Sequence, residues 1–157
     1  MIMKKIKNIA IIAFDSKKTD LIEWSYFNKA ILAKHEVSAH GFAAKILEGT
    51  LNKKIIKPEN SAHQAFRSIY TLINEGKIDA LIIFGEATEI SENKDLKAVL
   101  EKAIESNIIV ATNKTTADFL LHSSLIESEY KIEIKEKKLF ESELLVAPSE
   151  TPLAKAS

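Results

Sequence analysis

Residues able to move protons or hold anions gather at a few places along this 157-residue chain, each just past a short apolar run or at a helix start. Asp15 and Lys18 follow the run 9–14, His40 and Gly41 follow a shorter one, and Glu86, with Asp95 beyond it, follows 80–84. Asn113 comes after 108–112, while Ser61 and His63 open a helical stretch. Carboxylates and imidazoles exchange protons near neutral pH. An ammonium beside backbone amides at a helix start holds an anion. Other chemistries lack their residues. Without cysteine there is no disulfide, thiolate zinc site or cysteine nucleophile. The four glycines form neither a Walker loop nor Gly-x-Gly-x-x-Gly, and no nucleophile elbow supports a serine triad. His35 and His40 stand on either side of a short strand with no tight carboxylate partner in sequence, so no metal site and no cofactor are expected.

The elements that must position these groups alternate along the chain. Short apolar runs (9–14, 36–39, 80–84 and 108–112) read as strands, the longer ones covered on both faces. Between them lie amphipathic stretches. Leu21, Trp24, Phe27, Ile31 and Leu32 recur at helical spacing over 17–34, and a short helix follows Gly41 to about Gly49. Phe66, Ile69, Leu72 and Ile73 form an inward stripe stopping at Gly76, as do Leu96, Val99, Leu100, Ala103 and Ile104 on the next helix. A last helix is expected over 115–125. Weaker strands are expected at 54–56 and, as an edge, at 131–134. The sum is an α/β fold: a doubly wound, mainly parallel five-stranded sheet with helices on both faces and ligands beyond the strands' carboxyl ends. One domain, 1–141, is expected, with 142–157 as an arm or disordered tail because Pro148 and Pro152 oppose regular structure.

Lysine plus arginine and aspartate plus glutamate number 22 each, so no basic field is available to hold a nucleic-acid backbone. The segment 131–138 mixes both charges and reads as a solvated edge. No apolar run approaches the roughly 18 residues that span a bilayer. The basic start ahead of 9–14 lacks the length and cleavage site of a secretory signal, so a cytoplasmic protein is expected.

Four stretches at the strand ends carry a resemblance. They are Ala13-Phe14-Asp15-Ser16-Lys17-Lys18; His40-Gly41 opening a helix; Glu75-Gly76-Lys77-Ile78-Asp79 leading to Phe84-Gly85-Glu86; and Ala111-Thr112-Asn113-Lys114-Thr115-Thr116-Ala117-Asp118-Phe119. In this order, over roughly 9–125, they resemble the methylglyoxal synthase family. The resemblance implies loss of phosphate from dihydroxyacetone phosphate, through an enediol, to give methylglyoxal. It also implies a homo-oligomer, a hexamer in that family's enzymes.

Carried over position by position, the resemblance makes Lys18 the phosphate-binding lysine, Asp15 its neighbouring aspartate and Gly41 the first glycine of a phosphate cradle. Around Gly41 the family's threonines and second glycine are replaced by His40, Phe42, Ala43 and Ala44. The family's catalytic aspartate falls on Phe66 without a gap; a shift of about one turn brings His63-Gln64 onto its Asp-Gln pair. Phe14 stands where the family has a histidine, Glu86 where it has aspartate, and Asp95 keeps a loop aspartate that a helix cap explains equally well. The candidate catalytic set is therefore Asp15, Glu86, Asp95 and His63. The candidate ligand set is Lys18, His40, Gly41, Ser61 and Asn113, with a small phosphorylated metabolite as partner. Three readings remain open: a divergent synthase, a non-catalytic binding module of the same superfamily, and an oligomeric scaffold. They turn on whether Asp15, Lys18 and Glu86 converge on a pocket or whether Phe14, Phe42 and Phe66 plug it.

Overall fold

The computed structural model describes residues 1–57 and 61–134. The expected domain limit at 141 and the arm 142–157 lie outside the described residues. Strand β1 (Ile2–Met3) precedes β2 (Asn8–Ala13), and a 3-10 turn, Asp15–Lys17, leads into α1 (Lys18–Phe27) and the short α2 (Lys29–Leu32). Then follow β3 (Glu36–Ala39), α3 (Gly41–Leu51), α4 (Ala62–Asn74) and β4 (Ala80–Phe84). The remaining elements are α5 (Ala87–Glu92), α6 (Lys94–Glu105), β5 (Ile109–Ala111), α7 (Lys114–Leu121), a 3-10 turn at Ser124–Glu127, and β6 (Tyr130–Lys131).

Four strands form a parallel sheet in the order β3-β2-β4-β5. The continuous apolarity of β2 has a direct cause, since both faces of the strand are covered. Ile9 and Ile11 face a core shared with Leu21, Trp24, Leu47 and Leu121, while Ala10 and Ile12 face one shared with Ile69, Ile73, Leu96 and Val99. Helices α1, α3 and α7 thus cover one face, and α4 and α6 the other.

Four expectations change. The sheet has four strands rather than five, because the segment at 54–56 makes only a single parallel bridge, Ser38 to Ile56. The expected edge strand leaves this sheet altogether; Tyr130 and Lys131 pair antiparallel with Met3 and Ile2. The helix over 17–34 breaks at Asn28, whose buried amide donates to Trp24 O (3.0 Å) and Asp118 Oδ1 (3.2 Å), tying α1 to α7. Finally, α3 runs through Gly49 and ends where Asn52 turns left-handed. By contrast, α4 stops where the sequence says. Gly76 adopts φ +75°, and Lys77 N–H closes back on Leu72 O at 2.8 Å.

Candidate functional site

Chains leaving β2 and β4 depart in opposite directions, so the carboxyl ends of these neighbouring strands open a crevice. The last rung between them is Phe14 N–H to Phe84 O, 2.9 Å. Beyond it lies a cleft of about 440 Å³. Its walls are Phe14 and Asp15 after β2, His40 to Phe42 at the start of α3, Phe66 on α4 and Glu89 on α5. The three phenylalanines therefore line the cleft and leave it open. Phe14 lies against Gly85, where a Cβ would come within 2.8 Å of Phe14 Cδ2. Phe66 is half-buried on the core, and Phe42 lies beneath the Lys18 ammonium, 4.9 Å from its ring centroid.

On the anion side, His40 is extended and Gly41 takes φ +63°, so α3 starts abruptly without a side-chain cap on its first amides. A Cβ at Gly41 would meet nothing within 4 Å, so the space over this helix start is open. Lys18 stands 4.0 Å from Asp15, with both side chains exposed, an arrangement that binds weakly.

Carboxylates near the cleft are engaged. Glu86 turns to Lys17, Nζ to Oε1 3.0 Å, which raises the lysine's proton affinity. Glu89 accepts on Oε1 from the Glu86 backbone N–H (2.7 Å) and from Ser16 Oγ (2.6 Å). Those two donors, the amide first, hold its carboxyl below the usual glutamate range. Glu89 is thus a fixed negative charge in the wall and a weak base. Sequence reasoning missed it; its only local signal is the i, i+3 spacing to Glu86, with which it forms a capping box.

The other candidates divide. His63 and Asp95 meet each other, Nδ1 to Oδ2 2.9 Å; neither lines the cleft, although Ala62 and Asn93 do, and Asp95 lines a separate recess between α4 and α6 that shares Phe66 with it. The cap of α6 is Asn93, which accepts from Leu96 N–H at 2.9 Å, so Asp95 sits in the first turn. Ser61 caps α4 through Gln64 N–H (3.2 Å), and Asn113 caps α7 through Thr116 N–H (2.8 Å); neither is among the residues that line the cleft. With Asp118 bonded to Asn28, the 111–119 segment braces the scaffold.

A second cleft, about 400 Å³, lies beside β5 and is lined by groups such as Met3, Ile108, Leu125 and Tyr130, without a carboxylate or imidazole. Among the described residues, no group of three or more metal-ligating side chains gathers, and no helix is long and apolar enough to cross a membrane.

No protein-family model matches the chain. Known proteins do. A methylglyoxal synthase of Erwinia tasmaniensis is 34% identical over 135 residues, 85% of this chain and 89% of that protein. One of Coxiella burnetii is 33% identical over 141 residues, covering 89% and 99%. The chain belongs to the methylglyoxal synthase family. The crystal structure of a methylglyoxal synthase from Elizabethkingia anophelis superposes with a TM-score of 0.78 at 26% identity, over 96% of this chain and 98% of that one. The methylglyoxal synthase likeness thus extends through the whole parallel sheet and both helical layers, well beyond the motifs at the strand ends.

Proposed function

We propose that the cleft takes a small phosphorylated metabolite and that the protein eliminates phosphate from dihydroxyacetone phosphate, giving methylglyoxal far more slowly than an intact family site would. The observation that carries this reading is the open cleft at the carboxyl ends of β2 and β4, with the start of α3, free of a side-chain cap, in its wall and the Lys18 ammonium over the lining residue Phe42. A phosphate there would meet backbone amides and one cation, the pairing such a group requires. Its weak partner Asp15 gives Lys18 little reason to stay where it is. The slowness follows from the walls. Phe14 offers no hydrogen bond to an enediolate, and Phe42, Ala43 and Ala44 offer no hydroxyl. Each organised donor removed from such a site costs on the order of 100-fold in rate. Assembly into a homo-oligomer, a hexamer by family resemblance, and a cytoplasmic setting belong to the same reading; light scattering gives the mass.

The test is phosphate release from dihydroxyacetone phosphate by purified protein, beside Lys18→Ala and Asp15→Ala. Release above the protein-free rate, lost with Lys18→Ala, supports the reading. The phenylalanine walls favour a second reading, a binding module without turnover. It predicts no release while the same compound raises the melting temperature. Neither release nor a thermal shift sinks both.

A further inference from the structure

A reaction of this class needs a base, and the carboxylates of the cleft are poorly placed to serve. Glu89 is fixed by two donors, Glu86 faces Lys17, and Asp15 faces Lys18. One pair at the cleft's edge is built differently. His63 is the second residue of α4 and Asp95 the second of α6, and they meet at 2.9 Å between two helix starts. Ala62, next to His63, and Asn93, two positions before Asp95, line the cleft, and Asp95 lines the adjoining recess that shares Phe66 with it, so the pair stands at the cleft's edge. Because a carboxylate only accepts, His63 Nδ1 is the donor of this pair, which leaves Nε2 as the ring atom that can take up a proton whenever the ring is neutral. A histidine oriented by a carboxylate is a recurrent way to present a base at neutral pH.

Resting on the function proposed above, we infer that His63 is the proton-transfer residue of this cleft, and that Asp95 is the positioning residue that fixes its tautomer. His63 Nε2 takes the proton from the hydroxymethyl carbon of dihydroxyacetone phosphate, and the C–H electron pair becomes the double bond of the enediolate. The C–O bond to phosphate then breaks, its pair leaving on phosphate, and the remaining enol regains a proton on carbon. The products are methylglyoxal and hydrogen phosphate, with no oxidant, reductant or second substrate. The plainer role for the pair, a clasp between α4 and α6, makes different predictions.

The experiment combines kinetics with NMR of the ring signals of the four histidines (His35, His40, His63 and His122) as dihydroxyacetone phosphate is added to the full chain. His63→Gln should lower kcat by about 100-fold or more with KM nearly unchanged. Asp95→Asn should lower kcat while His63 is present and have no further effect in the His63→Gln background, since the two act as a unit. The His63 ring signals should move on ligand addition, and the melting temperatures of the variants should stay near that of the parent protein. Unchanged kcat in His63→Gln overturns the inference. So does a titration that moves His40 but not His63, or binding without any turnover; each of these leaves ligand binding in the cleft intact. If no ring signal moves and no phosphate is released, the reading of the cleft itself fails instead.

Discussion

The two ends of the parallel sheet treat their polar groups in opposite ways. At the amino end they are buried and committed. Lys7 is 1% exposed, and its ammonium donates to Lys4 O (2.5 Å) and Ser128 O (2.6 Å), while its backbone N–H donates to Nδ1 of the equally buried His35 (2.9 Å). The half-buried Asp79, nearer the surface, takes the Asn8 N–H at 2.7 Å. At the carboxyl end Asp15, Lys18 and Glu86 are exposed to solvent; Asp15 and Lys18 form only a loose 4.0 Å pair, while Glu86 holds the partly exposed Lys17 at 3.0 Å. A buried ammonium must satisfy its protons inside the protein or it destabilises the fold. An exposed one is at liberty to meet a ligand. The amino end is therefore structural, and the carboxyl end is where polar groups remain available.

That contrast can be broken from either side. The largest effect is expected for Lys7→Ala, which leaves the part-buried carbonyls of Lys4 and Ser128 without this donor and opens a void; it should cost roughly 2–4 kcal/mol in urea denaturation. Next comes Gly85→Ala, whose new Cβ displaces the Phe14 ring and costs roughly 1–3 kcal/mol. It should also weaken ligand binding, because Phe14 lines the cleft. A smaller effect is expected from pH. Burial, and after it the Lys7 ammonium, hold His35 below the ordinary 6.5, with Lys34 and Lys53 adding to the effect and Glu127 opposing it. The unfolded chain takes up this proton at higher pH than the folded one. Stability should thus be complete above pH 6.5 and fall as pH drops below it, by at most about 1.4 kcal/mol per pH unit, with the slope reduced in His35→Gln. The smallest change in stability is expected for Lys18→Ala, within roughly 0.5 kcal/mol, although it removes the ammonium over Phe42 of the cleft wall. A large loss there would erase the distinction between the two ends.

How much of this is legible in the sequence follows the same division. The cores of β2 and β4 are read directly, because strands buried on both faces leave unbroken apolar runs. Gly76 and Ser61 mark the ends of α4 for local reasons that a sequence records. The break at Asn28 is not legible, since it depends on Asp118, ninety positions away. Nor is the departure of the 131–134 segment, whose pairing depends on Ile2 and Met3. In the candidate site, the strand-end stretches are visible as motifs, and Asp15, His40 and Gly41 do line one cleft. Side-chain direction is not visible. Glu86 stands at the right strand end yet faces Lys17, Glu89 enters the wall unannounced, and His63 finds Asp95 across two helices.

The central claim, that the carboxyl-end cleft holds a small phosphorylated metabolite through Lys18, is tested most directly by calorimetric titration of the intact protein with dihydroxyacetone phosphate. A saturable isotherm is expected, abolished in Lys18→Ala while that variant melts as the parent protein does. Heats indistinguishable from dilution, or an isotherm unchanged by Lys18→Ala, would contradict it.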